Sequence, residues 1–274
     1  MKAALDFLEC TIPNRASFLK NRTVVQSVIS LTCSLIATGR HKALEATVAS
    51  FIKDFLSELS KQVELGQAAT DHDYLRFQRS INANVKAGPR SRQEILLRKA
   101  FTHTPSLAAA FDPSMLIKSG LHGRIAELGE SIADHVTRIN EEHSAKHGND
   151  LFKMTNKTNG TMKACGKPIK DLGEYKQLIT NLYFLFKEGV GDRLDGSVPD
   201  SFIEINTLRT ECQHDTDHGD KSKVKAKKKK AGTAFQKYSG SGSPDSLEPG
   251  CFALVQANIL TAIERDLANL TITK

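Results

Sequence analysis

Apolar residues returning at three- and four-residue steps constrain this chain more than any other feature. That spacing places them on one face of an α-helix and is incompatible with the two-residue period of a half-buried strand. Leu44, Val48, Phe51, Ile52, Phe55, Leu56 and Leu59 form one such stripe, and Ile125, Leu128, Ile132, His135, Val136 and Ile139 form another. Tyr175, Leu178, Ile179, Leu182, Tyr183, Leu185 and Phe186 make a nearly all-apolar segment over 173–187, which predicts the central, most buried helix of the C-terminal half. Phe252, Val255, Ile259, Leu260, Ile263, Leu267 and Leu270 supply a last stripe. The expected fold class is all-α.

Breakers divide the pattern. Residues 22–65 read as helical with an interruption at Thr38-Gly39-Arg40, and Ala87-Gly88-Pro89 must end any helix that reaches it. Asp71-His72-Asp73 precedes a periodic run and reads as a helix start rather than a metal site. The basic residues that follow, Arg76, Arg79, Lys86, Arg90, Arg92, Arg98 and Lys99, read as a solvated face. Residues 144–172 are rich in Lys, Asn, Thr and Gly and read as a long loop. The expected organisation is an N-terminal helical region, 1–120, and a C-terminal bundle, 121–274, carrying an inserted Lys-rich loop over 219–250.

With 39% hydrophobic and 25% charged residues, the composition is that of a globular chain. Trp is absent and Tyr numbers four, which disfavours a base-stacking sheet surface. A net charge of +7 favours a polyanionic partner. Five scattered cysteines suggest reduced thiols and a cytoplasmic protein. The most apolar segment, Val24 to Gly39, is too short and too polar to span a bilayer. No P-loop, dinucleotide fingerprint, nucleophile elbow or paired zinc-ligand motif is present, and no cofactor is implied.

The unusual chemistry is concentrated between Pro199 and Ala231. Ser201-x-x-Glu204 fits a capping box, and Phe202, Ile205, Leu208 and Cys212 continue a helix from it. Arg209 lies one position off that stripe. Thr210, Glu211, His214, Asp215 and His218 follow, and then Lys221, Lys223, Lys225, Lys227, Lys228, Lys229 and Lys230 place seven positive charges in ten residues. These lysines suit a nucleic-acid backbone, although a solvated loop has the same composition. Arg209 has a plain alternative too, as a solvated charge pairing with Glu204 or Glu211. A further alternative, a metal held by Cys212, His214, His218 and one of the aspartates, lacks a second Cys/His cluster nearby to complete it.

The segment LRTECQHD, with Arg209 and His214 in an Arg-x4-His spacing and a final amphipathic helix beyond, resembles the HEPN superfamily. The similarity covers roughly residues 121–274. It implies a helical bundle, commonly dimeric, and a metal-independent endoribonuclease of the kind found in toxin and antiviral defence systems. Arg209 and His214 would be catalytic, with Thr210, Glu211, Asp215 and His218 accessory. RNA would be the substrate, and an antitoxin or defence-system protein a further partner. The position after the arginine, usually Asn, Asp or His in that family, is Thr210 here. His218-Gly219 competes with His214 as the motif histidine. Imidazole exchanges a proton near neutrality and guanidinium grips phosphoryl oxygens, so the pair suits phosphate chemistry without a metal. On an ideal helix the two lie roughly 140° apart. They meet only if the helix ends or bends between them, or if a second copy supplies one of them.

Overall fold

The computed structural model describes residues 2–12, 21–82, 88–112, 114–194, 198–213, 221–247 and 249–272, and every regular element among them is a helix. The chain divides into two compact units, Met1–Gly120 and Leu121–Lys274. Among the described residues no helix is long and apolar enough to cross a membrane.

The first unit contains α1 (Lys2–Thr11), α2 (Arg22–Ile36), α3 (Glu45–Leu65), α4 (His72–Asn82), α5 (Gly88–His103) and the short α6 (Ser114–Lys118). The interruption between α2 and α3 turns on Gly39 at φ +70°, a backbone conformation that side chains with a Cβ rarely adopt. Pro89 occupies the second position of α5, where no helical partner for its missing N–H is needed. The core is aromatic: Phe51, Phe77 and Phe101 are fully buried, and Phe55 meets Phe77 edge-on at 5.0 Å.

The basic residues of α4 and α5 do not form one solvated face. Arg98 turns inward and grips the buried Asp73 with two charge-assisted hydrogen bonds, at 3.0 and 2.9 Å, and also donates to Ser119 O. Lys99 sits beside Asp71 and Asp73. Arg92 is buried and donates to Ser27 Oγ and Ser80 O, with burial pushing its guanidinium pKa down. Only some of the cations, such as Arg76 and Arg90, reach solvent. Asp71 does accept from Asp73 N–H at the start of α4, and Asp73 has the second task of neutralising Arg98.

The second unit comprises α7 (Leu121–His147), α8 (Asn156–Cys165), α9 (Leu172–Tyr183), α10 (Asp200–Gln213), α11 (Lys221–Ser239) and α12 (Phe252–Ala268). The central helix is α12 rather than α9: every residue from Phe252 to Leu260 is buried. Burying a polar group on this stretch is costly unless it finds a hydrogen-bond partner there. Gln256 does so by donating to Cys165 O and Lys167 O and accepting from Ile169 N–H, which fastens the α8–α9 connection to α12.

The segment expected as a long loop, 144–172, is largely helical. Its first residues extend α7, and Thr155 with Thr158 forms a reciprocal capping box that starts α8. Asn140 pairs with both the N–H and the carbonyl of Phe152, holding the remaining turn against α7. A Cβ on Gly129 of α7 would lie 2.6 Å from Gly166 Cα, so only glycine permits this approach. The Lys-rich loop is corrected as well: Lys221–Ser239 is helix α11, and Ser239, Ser241, Ser243 and Ser246 tie the following turn together through their hydroxyls.

Removing one member of the buried pair in the first unit strands a charge in a site of low polarity. Asp73→Ala is expected to cost about 3–5 kcal/mol of folding stability. Urea denaturation should show Asp73→Asn combined with Arg98→Met recovering much of that loss.

Candidate functional site

Three helices of the second unit carry the residues in question, with α10 packed against both α9 and α11. The start of α10 is held from outside itself. Ser201 N–H donates to the Asp266 carboxylate of α12 at 3.0 Å, an acceptor in the place where a helix N-terminus needs one. Glu204 does not turn back to complete a capping box. It reaches α11, where it accepts from Lys237 at 2.7 Å and from the Tyr238 hydroxyl. Burial first, and then the Glu204 carboxylate, push the Tyr238 phenol far above its ordinary pKa, so it remains a donor at every physiological pH.

The C-terminal half of α11 is anchored. Phe235 is fully buried edge-on to Tyr175, Tyr238 is buried, and Asn258 of α12 donates to Tyr238 O. Its N-terminal half projects cations: Lys225, Lys227, Lys228, Lys229 and Lys230 are all exposed. The pairs Lys225–Lys228, Lys225–Lys229 and Lys227–Lys230 fall at helical three- and four-residue spacings, each costing about 0.2–0.5 kcal/mol of helix stability. The first turn contains no acidic residue to offset the helix dipole. An anion on this surface would relieve both penalties. Lys221 and Lys223 belong to the same helix, and their side chains lie outside the described residues.

Arg209 is half-buried on the α9 side of α10, its guanidinium over the Tyr183 ring at 4.0 Å. It does not pair with Glu204, which is committed to α11. Its Nε is buried with no hydrogen-bond partner among the described residues, a costly condition for a donor on a charged group. Directly after Tyr183, the chain makes a π-helical turn, Phe184–Glu188, an irregularity often found at functional positions. Thr210 spends its hydroxyl hydrogen on Asn206 O at 2.9 Å. Among the accessory residues, Glu211 lies in α10 with its side chain outside the described residues. His214, Asp215 and His218 lie outside them entirely. The structure therefore brings Thr210 together with Lys227, Lys228 and Lys230 of α11 and sets Arg209 against Tyr183 of α9.

The sequence pattern places Tyr183 in an apolar stripe and does not mark it as the support for Arg209. Nor does it mark the Glu204–Lys237–Tyr238 link that orients α11. A tyrosine at a helix end and a carboxylate more than thirty residues from its partners carry no local signal. No protein-family model matches the chain, and no curated protein or solved structure matches it either.

Burial opposes ionisation of Asp266, yet the hydrogen bond from Ser201 N–H and neighbouring Arg265 hold its carboxyl below the ordinary range. A depressed folded pKa stabilises the protein above the unfolded value, near 4, and that contribution is lost as pH falls through the folded value. Asp266→Asn should accordingly flatten the acid side of the pH–stability profile measured by thermal melting, leaving a smaller difference between pH 6 and pH 3 than in the parent.

Proposed function

We propose that this protein binds RNA along the lysine-bearing half of α11 and cleaves it as a metal-independent endoribonuclease of HEPN type, with Arg209 and His214 as the catalytic pair. The observation that carries the proposal is Arg209: a guanidinium stacked on Tyr183, without a carboxylate partner among the described residues and with a buried, unsatisfied Nε. A guanidinium held in this way, free of a competing carboxylate among the described residues, suits a phosphoryl oxygen. The exposed lysines on the neighbouring helix supply the long-range attraction that brings a polyanion there.

In this mechanism the ribose 2′-hydroxyl attacks the adjacent phosphorus. Its proton passes to a base, the 5′-oxygen leaves with a proton, and a 2′,3′-cyclic phosphate remains. His214 serves in proton transfer and Arg209 stabilises charge on the non-bridging oxygens. Because ideal helical spacing separates the two, a homodimer in which each copy completes the other's centre suits the chemistry. A second reading, RNA binding without cleavage, is favoured by Thr210, whose hydroxyl hydrogen is already engaged where the family usually presents an amide, carboxylate or imidazole.

Cleavage of total RNA in the presence of EDTA tests the first reading. The parent chain should cut, and Arg209→Ala and His214→Ala should each reduce the rate by about 100-fold or more. Loss in His218→Ala alone would transfer the role to that histidine. Salt-dependent binding by a folded chain that cuts nothing would leave only the second reading. In either case, Lys225→Gln with Lys229→Gln should lower the slope of log affinity against log salt by about 1.4 on single-stranded RNA.

A further inference from the structure

Between α10 and α11 a cleft of about 150 Å³ opens, lined by Asn206, Thr207 and Thr210 on one wall and by Lys227, Lys228 and Lys230 on the other. Arg209 is not part of it. The two walls have different chemistry. The lysine ammonium groups can only donate and are cationic. Both threonine hydroxyl hydrogens are spent within the helix, Thr207 donating to Ile203 O at 3.0 Å and Thr210 to Asn206 O at 2.9 Å. With their hydrogens spent, those two hydroxyls can only accept, while the Asn206 amide on the same wall can both donate and accept.

A bare anion leaves the two threonine acceptors unused. A ligand that fits both walls must carry an anionic group and, a few ångströms away, a hydrogen-bond donor. Ribose phosphate in RNA has that pairing, because its 2′-hydroxyl donates beside the 3′-phosphate, whereas the DNA backbone offers the phosphate without the donor. The cleft is the size of a sugar–phosphate unit rather than of a duplex groove. Its base is the buried Ala231, which leaves no bulky side chain between the walls.

We propose that the α10–α11 cleft is where this chain distinguishes RNA from DNA, with Lys227, Lys228 and Lys230 taking one phosphate and the hydroxyl oxygens of Thr207 and Thr210 accepting from the adjacent ribose 2′-hydroxyl. The inference rests on the RNA-binding reading given above and adds a specificity element separate from Arg209.

The test is fluorescence anisotropy with three single strands of one sequence: RNA, DNA and 2′-fluoro RNA, which keeps the RNA sugar pucker but has no donor. The full chain is used in a His214→Ala background so that the RNA stays whole. RNA should bind about three- to tenfold more tightly than the other two, the span expected of a single net hydrogen bond. Thr207→Val with Thr210→Val should lower RNA affinity to the DNA value and leave DNA affinity unchanged, and Thr207→Ser with Thr210→Ser should restore the preference. Equal binding of RNA and 2′-fluoro RNA, equal binding of RNA and DNA, or a full preference kept by the valine variant would overturn the inference while leaving RNA binding intact. Failure to bind any of the three strands would overturn the RNA-binding reading and this inference together.

Discussion

From Phe252 to Leu260 helix α12 is buried on every side, and that stretch holds two polar side chains. Gln256 is fully satisfied by the chain between Cys165 and Ile169. Asn258 donates to the carbonyl of Tyr238, at the end of α11. These bonds hold the two segments that flank the candidate site; the Gln256 amide is fully answered, whereas Asn258 Oδ1 is buried with no partner among the described residues. Asp266, on the same helix, accepts from Ser201 and sets where α10 begins. α12 thus carries none of the proposed chemistry and positions most of it.

The site is built on a division along α11. Its C-terminal half belongs to the core through Phe235 and Tyr238, while its N-terminal half presents lysines whose mutual repulsion works against the helix. An ordered row of like charges is tolerable because the anchored half supplies the nucleus that a short isolated helix lacks. Glu204 adds a fixed attachment between α10 and α11, and Tyr183 holds Arg209 from α9. The cation row on α11 and the Arg209 guanidinium on α10 thus stand on two helices that pack against each other, as recognition of a polyanion demands.

Helical class and the principal apolar stripes are legible in the sequence, because three- and four-residue recurrence has one physical meaning. Composition misleads in two places. Lys, Asn, Gly and Ser look like loop formers, yet residues 156–165 and 221–239 are helices, the first started by a threonine capping box and the second held by burial of its far end. Arg92 and Arg98 look solvated because nothing local marks an arginine whose partners, Ser27, Ser80 and Asp73, belong to other helices. Glu204 looks like half of a capping box because the motif is local, whereas its actual partners are thirty-three and thirty-four residues away.

By itself the sequence determined that the chain is helical, where most helices lie, and that an arginine followed by a lysine row is its chemically distinctive stretch. Only the tertiary structure decided that α12 is the central helix, that the lysines stand on an anchored helix rather than a loop, and that Arg209 rests on Tyr183 with an Nε unanswered among the described residues. The reason is range. Periodicity and propensity act over one or two helical turns, while burial of a polar group and the pairing of distant charges depend on which helices meet.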